Sequence, residues 1–543
     1  MIKRTSLLAL VCLFSLSALA AASRPNIIVI LVDDMGFSDL ACYGSEIPTP
    51  NIDHLAATGL RFTQFHNDSR CCPSRATLLT GLYSHEAGIG HMTDPRNGPD
   101  GLPMPGYLGH LNNDCVTIAE VLHDAGYFTA MSGKWHVGQV GDHGVTPWNR
   151  GFDRSLNSAF GGFYYPQDKR AELYLNGKAE GVGGKDGLPK DWYTTDLWTE
   201  YGLKFIDEAQ TAKKPFFLYL AYNAPHFPLE APAQDIARFR GKYMEGWDKL
   251  REKRYSRQVG MGIIDKSWPL SPRPSEVKAW DNLTAEQKDR FDHIMSIYAA
   301  CVYHMDKEVG VLVAGLVKRG LADNTLIMLM SDNGGNYESG PGGRLQGENP
   351  GGPDSTVFCG ESWATLENTP FRRYKHFEHE GGISSPLVVH WPEGIQDRDA
   401  LRAQPGHLID IMATCVDVGG AKYPAEFNGH AIHPMDGRSL APAFANQPIQ
   451  RDAIYWEHEG NAAILKDDWK LVRFRWNGAW ELYNMKTDRT EQHDLSATQP
   501  ELVKSLGKMW SDWAQHANVL PEMHEPFKQF NANDGYGGKP ALP

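Results

Sequence analysis

Short apolar runs recur along the chain, and each ends in polar residues. The first, PNIIVILVDD at Pro25–Asp34, is apolar without alternation until it ends in two acids. Similar runs occupy Gly126–His136, Lys214–His226, Asn324–Asn333 and Ser385–Trp391. Continuous apolar runs of this length are typical of parallel strands that are buried on both faces. The pattern therefore predicts a sheet whose strands lie in the interior.

Segments with helical periodicity lie between these runs. The clearest are Val116–Gly126 and the long stretch Ala285–Gly320. Alternation of buried strands with amphipathic helices is typical of the α/β class. We therefore expect a doubly wound, mostly parallel sheet sandwiched by helices, spanning residues 23–450.

The pattern changes after about Asp452. The segments AIYWEHEG, AAILKDD, WKLVRFRW and WELYNM are short and separated by turns, which favours antiparallel strands. An amphipathic helix follows, and one of its faces carries Leu502, Leu506, Met509, Trp510 and Trp513. Residues 451–543 are thus predicted to form a smaller C-terminal α+β subdomain with a short antiparallel sheet and a helix.

Two stretches look like insertions into the α/β pattern. They are Tyr243–Trp280 and the Gly/Pro-rich Gly334–Thr356, and long irregular loops usually serve function. Aromatic residues in presumed loops could stack on a ligand, or they could equally be core. These aromatic residues are Phe163, Tyr164, Trp268, Trp280 and Trp363.

The first residues predict export. MIKRTSLLALVCLFSLSALAAAS has a basic start, a short apolar run and a small-residue end, which is typical of a signal peptide over residues 1–22. The run is too short for a confident membrane span, so no membrane association is expected after cleavage. Val11 is too bulky for lipoprotein processing at Cys12. We expect a periplasmic or secreted protein.

Composition and charge argue against some classes of function and fold. The formal net charge of the 543 residues is −13, which gives no support to nucleic-acid binding. An anionic substrate stays open, because a pocket can be locally basic on an acidic protein. The eight cysteines are too sparse for a small disulfide-stapled domain, although one or two bridges are compatible with the sequence.

Two of the predicted strands end in oxygen ligands. Asp33 and Asp34 follow the first run, and Asp332 and Asn333 follow the fourth. Carboxyl ends of parallel strands meet at one edge of a sheet, so these side chains should converge there. Carboxylate and amide oxygens suit a hard divalent cation such as Ca²⁺ or Mg²⁺. The alternative is that each acid caps a following helix.

The same edge should carry several basic side chains. Lys134 and His136 come from GKWH, His226 from APHFP, and Lys375 from the segment before the last apolar run. A single lysine is usually solvated and a single histidine is usually structural. Their shared position at strand ends favours a catalytic role.

The stretch DSRCCPSRATLLTG contains adjacent cysteines, Cys71 and Cys72, which cannot easily bridge each other. The segment Cys71–Arg75 matches the C-x-P-S-R signature of type I sulfatases of the alkaline-phosphatase superfamily. The resemblance covers nearly the whole mature chain through PNIIVILVDDMGFSDLACYG, TPNIDHLAATGLRF, SGKWHVG, APHFP, SDNGG and EGGISSPLVV. The stretches YLGHLNNDCVTIAEVL and FRRYKHFEHEGGISSPL resemble bacterial arylsulfatases of the Pseudomonas type most. The resemblance implies an alkaline-phosphatase-like fold.

The resemblance also implies a chemistry. In that family a formylglycine-generating enzyme oxidises the first cysteine to Cα-formylglycine before folding, so Cys71 is expected to be modified and Cys72 to fill the variable position. One Ca²⁺ per chain is expected, and its ligands by resemblance are Asp33, Asp34, Asp332, Asn333 and an oxygen of modified Cys71. The remaining roles are carried over as follows: Arg75 holds the formylglycine hydrate, Lys134 and Lys375 contact sulfate oxygens, His136 lies beside the second hydroxyl of the hydrate, and His226 protonates the departing alcohol.

These observations predict a sulfuric ester hydrolase that acts on an aryl sulfate or a sulfated carbohydrate. A phosphomonoester or phosphonate hydrolase of the same superfamily is one alternative, and a non-catalytic protein that binds sulfated polysaccharide is another. Ser384 stands where many relatives carry Arg in EGGIRxP, so the substrate preference of those relatives is not transferred.

Overall fold

The computed structural model describes residues 24–98, 100–138, 145–180, 188–353 and 355–520. The predicted signal peptide therefore lies outside the described residues, as does the end of the predicted C-terminal subdomain. Among the helices of the described chain, none is both long and apolar enough to cross a membrane.

The strands of the described chain are β1 (Asn26–Val32), β2 (Leu60–His66), β3 (Phe128–Lys134), β4 (Arg154–Ser158), β5 (Leu173–Leu175), β6 (Lys178–Glu180), β7 (Phe216–Ala221), β8 (Thr325–Ser331), β9 (Arg344–Gln346), β10 (Thr356–Phe358), β11 (Ser384–His390), β12 (Ala400–Arg402), β13 (Gly406–His407), β14 (Glu426–Phe427), β15 (His430–Ala431), β16 (Ile454–His458), β17 (Asn461–Lys466), β18 (Trp469–Arg473) and β19 (Trp480–Asn484).

The α-helices of the described chain are α1 (Pro50–Ala57), α2 (Cys71–Thr80), α3 (Ile118–Asp124), α4 (Thr194–Thr211), α5 (Ala233–Phe239), α6 (Gly246–Met261), α7 (Ala285–Lys318), α8 (Gly360–Glu367), α9 (Glu380–Ile383), α10 (Ile409–Val418), α11 (Ala441–Phe444) and α12 (Pro500–His516).

The central sheet has the strand order β12-β2-β11-β8-β1-β7-β3-β4-β5-β6, and β13 also pairs with β2. Strand β1 lies in its middle and runs parallel to β8 and β7. Strands β3 and β4 continue the parallel pairing, whereas β5 and β6 are antiparallel at one edge. The predicted α/β class with a mostly parallel sheet is confirmed.

One strand runs against the expected direction. The apolar run that ends the series forms β11, which pairs antiparallel with both β2 and β8. The sequence of β11 is apolar throughout because both faces of the strand are buried. Such a sequence does not show whether the strand runs parallel or antiparallel to its neighbours. Its amino end therefore lies at the edge where the parallel strands have their carboxyl ends.

Helices cover both faces of the sheet. Alternate residues of β1 enter different cores: Ile28 and Ile30 pack with helices α4 and α7, and Ile27 and Val29 pack with α2, α3 and α10. This division follows from the two-residue period of a strand. It explains why the sequence of β1 shows no polar alternation.

The C-terminal strands form a separate antiparallel meander in the order β16-β17-β18-β19. Helix α12 covers one of its faces and buries Leu506, Trp510 and Ala514. The opposite face packs against Ile383, which directly precedes β11. The small antiparallel sheet and its helix are confirmed, whereas the exact boundary near residue 450 stays a prediction.

The two suspected insertions differ in structure. Residues 243–280 contain the long helix α6, whose Arg254 forms a buried ion pair with Asp39, so this segment belongs to the packed body. The prediction of an irregular loop was wrong here, because α6 lacks a strong amphipathic pattern. Residues 334–356 are irregular except for β9 and the start of β10.

The loop aromatics are part of the core. Phe163, Tyr164, Trp268, Trp280 and Trp363 are all buried in the cluster on the α7 side of the sheet. Of the two alternatives that the sequence left open for these rings, the structure supports core packing. The seven cysteines of the described chain are all free and buried, so the described residues contain no disulfide.

Candidate active site

The carboxyl edge of the sheet collects the predicted oxygen ligands. Val32 of β1 lies opposite Ser331 of β8, so the residues that follow each strand are neighbours. The backbone N–H of Asp34 donates to Asp332 Oδ1 at 3.2 Å. In the described chain the first helical turn after Asp34 begins at Ala41, and the next element after Asn333 is β9, so the helix-cap alternative is excluded.

Cys71 is the first residue of α2, at the same edge. Its Sγ lies 3.6 Å from Asp33 Oδ1, and only 2% of the residue is exposed. Ser74, one turn later, accepts a hydrogen bond from the backbone N–H of Asp68 at 2.9 Å, which fixes the entry into the helix. Cys72 points instead into the core on the α2 side. The helix therefore gives the two adjacent cysteines different environments.

Three buried cations surround these acids. Arg75 Nη2 lies 2.8 Å from Asp332 Oδ2 and 3.2 Å from Asp33 Oδ2. Lys134 Nζ lies 2.6 Å from Asp33 Oδ2. Lys375 Nζ lies 2.6 Å from Asp34 Oδ1. Lys375 reaches this edge because the segment that carries it leads into the amino end of antiparallel β11.

The cations shift the pKa values of the acids unequally. Burial raises the pKa of Asp33, but Lys134, His226 and Arg75 outweigh burial and hold it well below the ordinary value. Burial, with the charge of Asp33 and Cys71 added to it, raises the pKa of Asp332 well above the ordinary value. Burial and the neighbouring negative charges thus outweigh the effect of Arg75 and Lys134 on the Asp332 carboxyl group.

Two histidines complete the cluster. His226 Nδ1 donates to the carbonyl oxygen of Phe227 at 2.5 Å, and its Nε2 lies 3.7 Å from Asp34 Oδ2. His136 has a left-handed backbone with φ 52°, and its buried Nδ1 has no hydrogen-bond partner among the described residues. Burial lowers the pKa of both imidazoles, and for His136 the charge of Lys134 lowers it further. Strained backbone of this kind is concentrated at functional sites.

The oxygen atoms fit a hard cation. One ligand atom each from Asp33, Asp34, Cys71 and His226 lies within 4.8 Å of the others. Asn333 donates through Nδ2 to Asp34 Oδ1, but its buried Oδ1 has no partner among the described residues. A buried amide oxygen without a partner is costly unless it binds something. The carboxylate of Asp332 forms an ion pair with Arg75, so only part of it is available to bind a cation.

A cavity of about 210 Å³ opens over this cluster. It is lined by Cys71, Lys134, His136, His226 and Lys375, which the sequence had suggested. The following lining residues were not anticipated: Arg70, Met92, Phe160, Gly161, Phe227, Glu338, Ser339 and Phe358. Two of these residues could have been anticipated from the sequence, because Arg70 directly precedes the cysteine motif and Phe227 lies inside APHFP.

A larger cavity of about 870 Å³ lies elsewhere, between residues 262–268 and the C-terminal sheet. Its lining contains none of the converging residues described above. We identify the smaller cavity as the active site because charged side chains meet there and because buried polar atoms of His136 and Asn333 lack hydrogen-bond partners among the described residues. The volume of a cavity does not by itself indicate a reaction.

Sequence comparison identifies the family. A sequence model described as Sulfatase matches residues 25–421, and one described as N-sulphoglucosamine sulphohydrolase, C-terminal, matches residues 372–515. The chain belongs to the sulfatase family, and it is a sulfuric ester hydrolase. The predicted family and enzyme class are confirmed, and the closer likeness to Pseudomonas-type enzymes stays a prediction.

Individual relatives agree with this assignment. An uncharacterized sulfatase of Schizosaccharomyces pombe is 33% identical, over 92% of this chain and 95% of the relative. An arylsulfatase of Klebsiella aerogenes is 34% identical, over 78% of this chain and 92% of the relative. The crystal structure of Ps i-CgsB in complex with k-i-k-neocarrahexaose superposes with a TM-score of 0.67 at 29% identity, over 92% of this chain and 95% of that one.

Proposed function

We propose that this enzyme hydrolyses sulfate monoesters to an alcohol and inorganic sulfate at the carboxyl edge of the sheet, with Cys71 converted to formylglycine and one Ca²⁺ bound. The observation that carries the proposal is the position of Cys71. It begins α2 and lies among Arg75, Lys134 and Lys375, beside the Asp33 carboxylate. A helix N-terminus and three cations suit an anionic ester.

Modification of Cys71 has physical support. A sulfate monoester repels anionic nucleophiles, and a formylglycine hydrate would supply a hydroxyl that is fixed next to compensating cations. Cys71 is buried, so a formylglycine-generating enzyme would have to act before the chain folds. The matching signature is complete at Cys71, Pro73, Ser74 and Arg75.

The oxygen cluster is proposed to bind the Ca²⁺. Asp33, Asp34, Asp332 and the partnerless amide oxygen of Asn333 would hold it with an oxygen of modified Cys71. Bound there, the ion would polarise the sulfate and lower the pKa of the attacking hydroxyl. Its positive charge would favour the ionised form of Asp332, whose pKa burial raises.

The other side chains divide the remaining work. Lys134 and Lys375 would neutralise the sulfate oxygens, and Arg75 would hold the modified side chain through its buried guanidinium. His136, whose pKa burial holds low, would accept a hydrogen bond as a neutral imidazole. His226 would protonate the leaving oxygen from Nε2, since its Nδ1 is committed to Phe227. Burial lowers the pKa of the His226 imidazole, and the nearby charge of Asp34 opposes this effect without reversing it.

The cavity wall suits a flat leaving group. Phe160, Phe227, Phe358 and Met92 are the apolar residues of the lining, and the rings of Phe227 and Phe358 pack together with centroids 4.4 Å apart. Arg70 is paired with Glu338 at 2.7 Å. Such a wall can stack on an aryl ring or on the face of a sugar. We therefore propose an aryl sulfate or a sulfated saccharide as substrate, consistent with relatives named for both classes. Export through the predicted signal peptide completes the proposal.

Mass spectrometry tests the modification. The tryptic peptide Cys71–Arg75, from protein expressed with the maturing enzyme, should carry an aldehyde in place of the Cys71 thiol. Cys71→Ala should lose all sulfatase activity while its circular dichroism stays unchanged, and Cys72→Ala should retain activity. An unmodified, fully active Cys71 would refute the proposal.

Metal analysis tests the cation separately. Chelation should inactivate the enzyme, and Ca²⁺ should restore activity better than Zn²⁺, because the ligands are oxygen atoms. Asn333→Ala should lower bound Ca²⁺ and activity together, and Asn336→Ala serves as a control because Asn336 donates to Asp34 Oδ2 without a proposed metal contact. Unchanged Ca²⁺ content in Asn333→Ala would show that its amide oxygen is not a ligand.

A further inference from the structure

Three polar side chains line the active-site cavity without taking part in the chemistry proposed for Cys71. They are Arg70, Glu338 and Ser339. Arg70 directly precedes Cys71 and α2, and Glu338 and Ser339 belong to the irregular segment between β8 and β9. They are therefore placed to contact the part of the substrate that leaves as an alcohol.

The guanidinium group of Arg70 is held through two of its nitrogens and open at the third. Its Nε donates to Met92 Sδ at 3.2 Å, and its Nη1 donates to Glu338 Oε1 at 2.7 Å and lies 2.5 Å from His376 Nε2. Nη2 has no hydrogen-bond partner in the described part of the chain and is accessible to solvent. Because a guanidinium nitrogen can only donate, Nη2 is available to a ligand that accepts a hydrogen bond.

The carboxylate of Glu338 is open in the same way. Its Oε1 contacts Arg70 Nη1 and His376 Nε2, whereas Oε2 is accessible to solvent and has no hydrogen-bond partner among the described residues. Burial raises the pKa of this carboxyl group, but the charges of Arg70 and Lys375 hold it well below the ordinary value. The group is therefore ionised, and the ion pair offers one free donor and one free acceptor.

The position of Glu338 is fixed relative to the reaction centre. Its backbone N–H donates to Asn336 Oδ1 at 2.7 Å, and Asn336 Nδ2 donates to Asp34 Oδ2 at 2.9 Å. A chain of hydrogen bonds thus joins Glu338 to an acid of the oxygen cluster. Polar groups that are already held in place lose little freedom when a ligand binds, so this ion pair is suited to recognition.

Ser339 adds a third polar group on strained backbone. Its φ of 82° lies in the left-handed region, which residues other than glycine rarely adopt. Its Oγ is buried and has no hydrogen-bond partner within the described chain. Strain of this kind is concentrated at functional sites, and an unpaired hydroxyl in a cavity lining is available to a ligand.

The balance of charge selects the ligand. The positive charge of Arg70 is already paired with Glu338, and a second acid, Glu459, lies 3.5 Å from the neighbouring His376. A second anionic group on the substrate would therefore meet a cation that is already compensated. Two neighbouring hydroxyl groups are complementary instead, because a hydroxyl can accept from Nη2 and donate to Oε2. A plain aryl ring offers neither contact.

The apolar lining and the size of the cavity agree with a sugar ring. Phe160 lines the cavity and is 48% exposed, so it can cover the apolar face of a sugar. The cavity volume of about 210 Å³ is small beside the roughly 300–1,000 Å³ of sites for drug-sized ligands. It suits a sulfate group with a single ring.

We propose that Arg70 and Glu338 bind two neighbouring hydroxyl groups of a sulfated saccharide, Arg70 donating through Nη2 and Glu338 accepting through Oε2, and that Ser339 Oγ binds a further oxygen of the same ring. This inference rests on the sulfate ester hydrolysis proposed above, and it names the saccharide as the preferred substrate class. A site built to bind a hydroxyl discriminates against an analogue without it, because the polar groups of the site stay unpaired.

The test compares two kinds of substrate in one preparation of each full-length variant. The probes are 4-nitrophenyl sulfate and a panel of monosulfated hexoses and hexosamines, and ion chromatography measures the released sulfate. The ratio of the kcat/KM values for saccharide and aryl ester cancels any difference in the modification of Cys71 between preparations. The wild type should hydrolyse at least one saccharide of the panel.

This ratio should fall about tenfold or more in Arg70→Lys, which keeps the charge but loses the second donor nitrogen, and in Ser339→Ala. Ser339→Gly removes the hydroxyl together with the backbone strain, so it gives the same measurement if Arg70→Lys folds poorly. Arg319→Lys is the matched control, because Arg319 pairs with Asp207 outside the cavity lining. The control should keep the ratio of the wild type.

Deoxy analogues of the preferred saccharide identify the hydroxyl groups. Loss of a recognised hydroxyl should lower kcat/KM of the wild type about tenfold or more, and that of Arg70→Lys much less, because the contact is already absent. Equal losses in both enzymes would overturn the proposal. So would a preference for a second sulfate in place of the hydroxyl, or a wild type that hydrolyses only the aryl ester. If no ester releases sulfate, the proposed function itself is refuted.

Discussion

At the scale of single residues, the site holds three cations and three carboxylates, all of them buried. Asp33 is paired with Lys134 and Arg75, and Asp34 with Lys375. Removing one member leaves its partner charged and buried, which costs far more than a surface pair would. Substitutions at the rim, such as His226, are therefore the cleaner probes of chemistry.

His226→Ala should reveal general acid catalysis. Proton donation contributes about 10²–10⁴-fold when the leaving group needs it. The loss in kcat/KM should be small for a nitrophenyl sulfate and large for an alkyl or sugar sulfate, provided that S–O cleavage limits the rate. A series of aryl sulfates with increasing leaving-group pKa measures this slope.

Lys134→Ala is the comparison variant, because Lys134 would act on the sulfate that all substrates share; since Lys134 is half of a buried ion pair, circular dichroism must show that the variant is folded. It should lower kcat/KM similarly across the series. A His226→Ala slope equal to that of the wild type would show that His226 is a scaffold residue and that the acid lies elsewhere.

At the scale of elements, the loop after β4 approaches the end of β3 closely. A Cβ on Gly161 would lie 3.1 Å from Lys134 Cδ, 3.3 Å from Lys134 Nζ and 3.4 Å from Asp33 Oδ2. The glycine therefore leaves room for the lysine to reach the substrate position. Close backbone approach of this kind has no signature in the hydrophobic pattern.

Gly161→Ala should displace Lys134 by a few tenths of an ångström and lower kcat about tenfold, because small misplacements at a catalytic group are costly. Steady-state kinetics with an aryl sulfate measures the effect. Gly342→Ala is the control, since its Cβ would meet nothing within 4 Å. Equal activity of the two variants would contradict a positioning role for this loop.

At the scale of the whole molecule, buried charges join the C-terminal sheet to the catalytic body. Lys470 of β18 lies 2.9 Å from Glu380 Oε1 and 2.9 Å from Glu491 Oε1, and Arg489 lies 2.8 Å from Glu380 Oε2. The hydroxyl of Ser384 donates to the same Glu380 carboxylate. The two parts should therefore unfold together.

Lys470→Met should leave Glu380 and Glu491 without one of their buried counter-charges. Loss of one partner of a buried ion pair costs about 3–5 kcal/mol, which should lower Tm by roughly 5 °C. Calorimetry should show a single transition in the wild type. Lys466→Met, on the neighbouring strand and paired with largely exposed Asp452, should change stability by less than about 1 kcal/mol.

Two separate calorimetric transitions in the wild type would contradict this coupling. An unchanged Tm in Lys470→Met would show that the charges are compensated in another way.

Local patterns in the sequence determined the buried strands, the long helix α7, the C-terminal meander and the acids at the ends of β1 and β8. These features depend on periodicity and on residues adjacent to an element, which a single chain segment contains. The signature at Cys71 likewise occupies a few consecutive residues, so its similarity to the sulfatase signature could be recognised from the sequence alone.

Only the tertiary structure decided the direction of β11, the burial of Trp268 and Trp363, and the pairing of Arg70 with Glu338. It also brought His458 and Glu459 to His376, which is distant in the chain. Strand direction and long-range pairing depend on which surfaces meet after folding, and hydrophobic periodicity reports only that a side chain is buried, not what buries it.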